Sequence, residues 1–395
     1  MIHLPRAASR TALLGVLLAS ACGSGAAAPR AGAPTPTGPA SPSPTVLAGP
    51  TGSPAATPGS RVRDLYAADR PGLLSAQARL AKPLIYVPDS NDATVHVIDP
   101  ATYRVIRVER VGALPQHVTP SYDLRTLFVD NDKGNTLTPI DPRTGRFGRP
   151  VPVADPYNLY FTADGRHAVV VAEALRRLDF RDPHTLALQH SLRVPCAGID
   201  HADFSPDGTH ALFSCEFSGQ MLWVDMVHQT VVKAVTLPPQ NSQRPKPQDV
   251  KISPDGTVFY VADENSNGVY LLDARTQRVL SFLPTGLGTH GLYVSRDSRD
   301  LYLTNRKGGS VSVLSFATRR VRAVWRIPGG SPDMGGVDAS GKVLWLSGRY
   351  TREVYALSTV DGRVLARIPV GGQPHGLCVW PQPGRYSLGH TGILR

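Results

Sequence analysis

Residues 247–286 read PQDVKISPDGTVFYVADENSNGVYLLDARTQRVLSFLPTG. Short runs of apolar and β-branched residues are separated by clusters of Gly, Pro, Asn and Asp, the pattern of brief strands joined by tight turns. The stretch predicts four strands, at 249–253 (A), 257–262 (B), 268–273 (C) and 278–283 (D). The A-to-B turn, Ser253-Pro254-Asp255-Gly256, has a physical cause: proline presets the first turn dihedral and glycine supplies a positive φ.

The same unit recurs on both sides with a period of about 42 residues, the mark of a repeat architecture. Its A-to-B turn returns as Ser205-Pro206-Asp207-Gly208 and, degraded, as Thr162-Ala163-Asp164-Gly165 and Asp338-Ala339-Ser340-Gly341. Strand B returns as LIYVPD at 84, LFVDND at 127, ALFSCE at 211, LYLTNR at 301 and LWLSGR at 344. The run LYLTNRKGGSVSVLSFATRRV at 301–321 resembles the YVTN repeat of YncE-like β-propellers, and PHGL from Pro374 matches that family's strand-A opening.

The resemblance covers 84–395 and implies an all-β, seven-bladed propeller with four-stranded antiparallel blades. A B-C-D fragment at 84–112 is followed by six full units starting near 113, 154, 196, 247, 287 and 331. A closing strand A at 373–380 would complete the first blade, tying the chain ends together and removing the open sheet edge. Residues 385–395, RYSLGHTGILR, read as an additional strand B that either displaces the Leu84 strand or packs beside it.

Ahead of the repeats, residues 1–21 carry Arg6 and Arg10 before an apolar run, a signal-peptide pattern too short for a membrane span. The sequence Leu18-Ala19-Ser20-Ala21-Cys22-Gly23 resembles a bacterial lipobox, with Ala19 where Leu is usual. Cys22 would then be the lipidated N-terminus of an exported protein held at the outer face of the membrane. Residues 22–60, rich in Pro, Gly, Ala, Ser and Thr with Arg30 the single charge after Cys22, cannot bury enough apolar surface to fold and read as a tether. A bridging segment at 61–83, with a short helix around 73–80, would join tether to propeller.

The chain's 37 Gly and 36 Pro among 395 residues suit turns and strands rather than helices. Its formal net charge of +11, with Arg spread throughout, favours general attraction to polyanions such as headgroups, cell-wall polymer or nucleic acid. Nothing sharpens this toward sequence-specific nucleic-acid recognition, since zinc-finger spacing, a basic helix and an aromatic RNA-binding signature are all absent.

In a propeller, strand A lines the axis, and the D-to-A and B-to-C connections share one face. Aligning the units on their A-to-B turns predicts two axial columns near the opening of that face. They contain His117, Asp200, His201, Asp249, His290, Asp333 and His375, candidates for binding a ligand; equally, polar groups at strand ends satisfy backbone or channel water. His201, Asp249 and His290 are of suitable type for a metal ion, without a compact motif to fix geometry. Glu173, Glu216, Glu264, Arg306 and Arg349 open the B-to-C loops and would make the mouth electrostatically lopsided. Of the cysteines beyond Cys22, Cys196 and Cys215 fall on one face, while the alignment sets Asp200 rather than Cys196 across from Cys215; Cys378 is expected buried and reduced.

No GxSxG elbow and no CxxCH attachment motif is present, and no motif indicates a particular cofactor. The sequence therefore points to a binding or scaffold module for a protein, polymer or small molecule. A lactonase-like hydrolase or cofactor-dependent oxidoreductase with an axial His/Asp site is the alternative, and polyanion or nucleic-acid binding a second one.

Overall fold

The structure, a computed structural model, describes residues 64–390 and 393–395. The lipobox and Cys22, the signal sequence and the whole tether lie outside the described residues. Seven antiparallel sheets follow one another along the chain, and the first is completed from the far end. Cys378–Trp380 pairs with Leu84–Asp89 in the register Leu84 to Trp380 and Tyr86 to Cys378, which closes the ring as a seven-bladed propeller.

Burial falls from the axis outward, as the alternation in the sequence demands. Strands A and B of blade 5, Pro247–Ile252 and Val258–Asp263, are buried throughout, whereas the outermost strand of blade 1, Arg104–Arg110, exposes every second residue. Apolar side chains from neighbouring blades fill the gaps between sheets, for example Tyr160 and Phe180 of blade 3 against Phe204 and Phe213 of blade 4. The A-to-B turns work as their sequence implies. Ser205 Oγ donates to Asp207 Oδ1 at 2.6 Å, and Gly208 sits at φ +72°. Blade 6 makes the same turn from Ser295-Arg296-Asp297-Ser298, with Ser298 at φ +62° in the glycine position, a copy too divergent to read from the repeat.

Strand A carries a register shift that the repeat pattern does not reveal. Pro115 pairs with Asn131 and Val118 with Val129, so Gln116 and His117 together face Asp130 alone. The same two-against-one bulge falls at Asp200/His201, Gln248/Asp249, His290/Gly291 and Asp333/Met334. Such bulges re-aim side chains and free backbone groups from the ladder. In three of these blades a strand-B hydroxyl satisfies the freed groups: Ser214 Oγ accepts the His201 N–H at 3.0 Å, Thr304 Oγ1 that of Gly291 at 2.7 Å, and Ser347 Oγ that of Met334 at 3.1 Å. The recurrent Ser or Thr of strand B thus supports the axial residues of the strand beside it.

Three expectations need correction. The segment before the propeller forms no α-helix over 73–80, only two short 3-10 turns at Ala67–Asp69 and Ala78–Leu80. It lies along the face of the A-to-B turns, where Leu65 N donates to Pro254 O and Tyr66 Oη to Ile252 O. The tail 385–395 does not displace the Leu84 strand or lie beside it as a strand B; it bridges strand A of blade 3, where Phe161 N donates to Leu388 O and His390 N to Leu159 O. It turns back on itself, Ser387 bridging Leu394, and enters the axis. Gly389, at φ +126°, makes this approach feasible, because a Cβ there would lie 2.6 Å from Leu159 O and from Tyr160 Cα. Arg395 then ion-pairs with buried Asp203 at 2.9 Å.

Finally, Cys196 and Cys215 are joined by a disulfide, with Cα atoms 6.0 Å apart. The bulge moves Ile199, not Asp200, opposite Cys215. The turn through Gly198, at φ +70°, folds Cys196 back over the end of strand B. Cys378 is buried and unpaired, as its place on the closing strand implies.

Candidate functional site: an axial histidine chamber

Five imidazoles converge on the propeller axis. His117, His201, His290 and His375 arrive on strands A or the closing segment, and His390 on the tail. Ring centroids lie 5.4 Å apart for His117 and His201, 5.0 Å for His117 and His375, 5.8 Å for His290 and His375, and 6.3 Å for His201 and His290. His390 fits between the first pair, 4.7 Å from His117 and 5.0 Å from His201. All five are buried.

Burial is the main reason these rings stay neutral, since a charged imidazolium would lose its hydration. It lowers His117 to about 4 and His375 to about 3, and holds His201, His290 and His390 well below the usual histidine range. Arg349 adds to the effect at His375, Arg306 at His290, and the neighbouring histidines at His201 and His390.

The chamber has two chemically distinct sides. On the first, Asp333 is the hub. It accepts the His375 Nδ1–H at 2.7 Å and the Arg306 Nη1–H at 3.1 Å, with His290 Nδ1 3.2 Å away. Burial alone would raise the Asp333 carboxyl, yet His290, Arg306 and His375 around it hold it well below the ordinary carboxylate range. Arg306 also pairs with Glu264 at 2.7 Å, and Lys246 bridges Glu264 and Glu216 at 3.0 and 2.8 Å. Burial pushes Glu264 up as well, but Arg306 and the other cations at its oxygens outweigh it and hold it low.

The second side is short of partners. His117 Nδ1 lies 2.8 Å from Tyr157 O, while its Nε2 has no hydrogen-bond partner. His201 Nε2 stands 3.2 Å from Asp200 Oδ1 without hydrogen-bond geometry, and both Asp200 oxygens are unpartnered. Burial, then Glu216 and Glu173, raise the Asp200 carboxyl well above its usual range. Nearby Lys251 Nζ and both His390 ring nitrogens are likewise buried and without a hydrogen-bond partner.

The family model for YNCE-like beta-propellers matches residues 61–383. The chain belongs to that family. No curated protein matches this YNCE-like propeller in sequence. Among solved structures, the periplasmic gluconolactonase of Pseudomonas aeruginosa is similar at TM-score 0.63 and 18% identity, covering 76% of this chain and 99% of that one. A functionally unknown protein from Desulfotomaculum acetoxidans gives 0.63 at 15% identity over 76% and 99%. Hydrazine synthase of Kuenenia stuttgartiensis gives 0.56 at 21% over 66% and 87%. At these identities the likeness is one of fold.

The residues singled out from the sequence separate in this YNCE-like propeller. His117, Asp200, His201, His290, Asp333 and His375 do line one chamber, but as buried groups rather than solvent-facing ones at an open mouth. Asp249 is engaged elsewhere: its Oδ2 accepts Leu292 N–H at 2.9 Å from the next blade, with Lys251 Nζ 3.7 Å from its Oδ1. His201 therefore groups with His117 and His390 rather than with Asp249 and His290. The loop charges are linked rather than opposed across a mouth, Glu264 to Arg306 directly and Glu216 through Lys246, while Arg349 Nη1 lies 3.8 Å from Asp333. Glu173 is pushed up to about 7 by burial and then by Glu216. His390, Lys246 and Lys251 had been overlooked. The Gly-His-Thr-Gly run of the tail was the available signal for His390, because glycines flanking a histidine allow close backbone approach.

Proposed function

We propose that this YNCE-like propeller is an exported binding module, tethered through Cys22, whose loop face engages a protein partner without chemistry of its own. The observation that carries this reading is a set of exposed apolar side chains on that face. Leu175, Phe217 and Tyr350 project from the B-to-C loops of blades 3, 4 and 7, and Leu287 from the connection between blades 5 and 6, each between 46% and 59% exposed. Apolar groups grouped on one face favour association, and aromatic ones supply most of its energy. The ionisable groups of the chamber are buried beneath that face, out of reach of a partner docked on it.

The route of the chain supports the same reading. Leu65 meets Pro254 on the turn face, so the segment leading into the propeller leaves the loop face uncovered. The Cys196–Cys215 disulfide suits an oxidising, exported setting.

Two experiments test the proposal. Cys22→Ser should release the protein from membranes or leave it unprocessed, because a diacyl anchor provides the hold that a single chain lacks. A processed variant still bound to membranes as before would refute the anchor. Photo-crosslinkers placed in cells at Phe217 and Tyr350 should each give a discrete protein adduct, reduced about tenfold or more by replacing the other aromatic residue with Ser. A crosslinker at Val360, 86% exposed on the opposite face, should give none. Equal labelling from both faces, or lactone turnover that depends on His375, would contradict the reading.

A further inference from the structure

His390 plays no part in the Asp333 network, yet it is completely buried with both ring nitrogens unpartnered. Two neighbouring rings, with centroids 4.7 and 5.0 Å away, each carry one more unpartnered nitrogen. Because the Tyr157 carbonyl can only accept, His117 must carry its proton on Nδ1, and its unpartnered Nε2 carries the lone pair. His201 Nε2 is the third. Taking one ring nitrogen from each of His117, His201 and His390, the donor atoms all lie within 4.8 Å of one another.

We propose that His117, His201 and His390 form a binding site for a divalent first-row metal ion of the Zn²⁺ class, with the C-terminal tail delivering the third ligand. Three imidazoles select zinc, copper, nickel or cobalt over magnesium and calcium, which prefer oxygen. A tetrahedral ion holds imidazole nitrogens at 2.0–2.1 Å and hence about 3.4 Å from each other, so each ring needs to move inward by less than about 1 Å. The surroundings suit such an ion. Tyr157 O fixes the tautomer and tilt of His117, the usual role of a carbonyl behind a metal-bound imidazole. Asp200, whose oxygens have no hydrogen-bond partner, stands with Oδ1 3.2 Å from His201 Nε2, within reach of the same ion. Coordination through that Nε2 puts the proton on His201 Nδ1. The Asn158 amide, whose nitrogen lies 3.1 Å from Nδ1, must then turn to present its oxygen.

The ligands come from strand A of blade 2, strand A of blade 4 and the tail. A bound ion would therefore cross-link blades that do not touch in sequence and pin residues 385–395 into the axis. It needs no permanent channel, because it can be taken up before the tail docks. The inference concerns the axis alone and does not depend on the loop-face reading.

The test uses the full mature chain, stripped with a chelator, dialysed and titrated with Zn²⁺, with Co²⁺ as a spectroscopic substitute. One ion per chain is expected, and Co²⁺ should show the intense visible bands of a four-coordinate site. His390→Ala should weaken Zn²⁺ binding by more than about 100-fold, beyond what loss of an outer-sphere partner causes. His228→Ala, a control at an exposed histidine, should bind as the native protein does. In the native chain Zn²⁺ should also protect the tail from carboxypeptidase, a readout that needs no variant. Absence of stoichiometric uptake, equal uptake by His390→Ala, or digestion of the tail unaffected by Zn²⁺ would each overturn the proposal, and none of these outcomes bears on partner adducts at Phe217 or Tyr350.

Discussion

Asp333→Ala is expected to lower the unfolding free energy by about 3 kcal/mol or more, the scale for breaking a buried ion pair and leaving the partner charge uncompensated. The carboxylate accepts from His375 and Arg306 and lies beside His290, all inside the axis. Arg306 would keep Glu264 as a partner, which places the loss toward the lower end of that range. Asp333→Asn should cost less, since an amide oxygen can still accept one of these bonds. Urea unfolding measures both. A loss under about 1 kcal/mol for the alanine variant would mean that water replaces the carboxylate without difficulty, and that the chamber is wetter than its buried side chains imply.

Removing the disulfide should have a comparable effect. The bond links residues 19 apart, and loop-closure entropy for a ring of this size corresponds to about 3 kcal/mol of stability. The double variant Cys196→Ala/Cys215→Ala should unfold at correspondingly lower urea concentration, and so should the native protein after reduction. Adding a reductant to the double variant should change nothing, because Cys378 is unpaired and buried. Alkylation of the folded, oxidised protein at Cys196 or Cys215 would show instead that the bond is not formed.

Both effects arise at the strand-A bulge, the feature least legible from the repeat. Turn residues identify where a blade bends, because Ser, Pro, Asp and Gly each impose a local backbone preference. A bulge depends on how many residues of one strand oppose one residue of another, and that is a property of two segments at once. The alignment therefore placed Asp200 across from Cys215, one residue out of step. It likewise set the axial residues near an open mouth, although Asp200, His201 and Asp333 are buried in the chamber.

The tail shows the same division. Read by its own alternation, 385–395 is a strand, with Tyr386, Leu388 and Leu394 in period-two step. Its fate was settled by groups far away in sequence: the Asp203 carboxylate that takes Arg395, the backbone of Leu159 and Tyr160 that tolerates only Gly389, and the gap between His117 and His201 that His390 fills. None of these partners is local to the tail.

From the sequence alone came the number of blades, the strand order within them and the closure of the ring by the C-terminal strand. Those features rest on period-two burial, on turn chemistry repeated about every 42 residues and on the need to cover sheet edges, all of which are short-range or compositional causes. Only the tertiary structure decided that the axial histidines are sealed rather than exposed, that Asp249 is bonded to the next blade, that Cys196 reaches Cys215, and that the last histidine of the chain joins His117 and His201. Each of these depends on distances between separate strands across the ring, and such distances follow from packing around a shared axis rather than from any residue's neighbours in sequence.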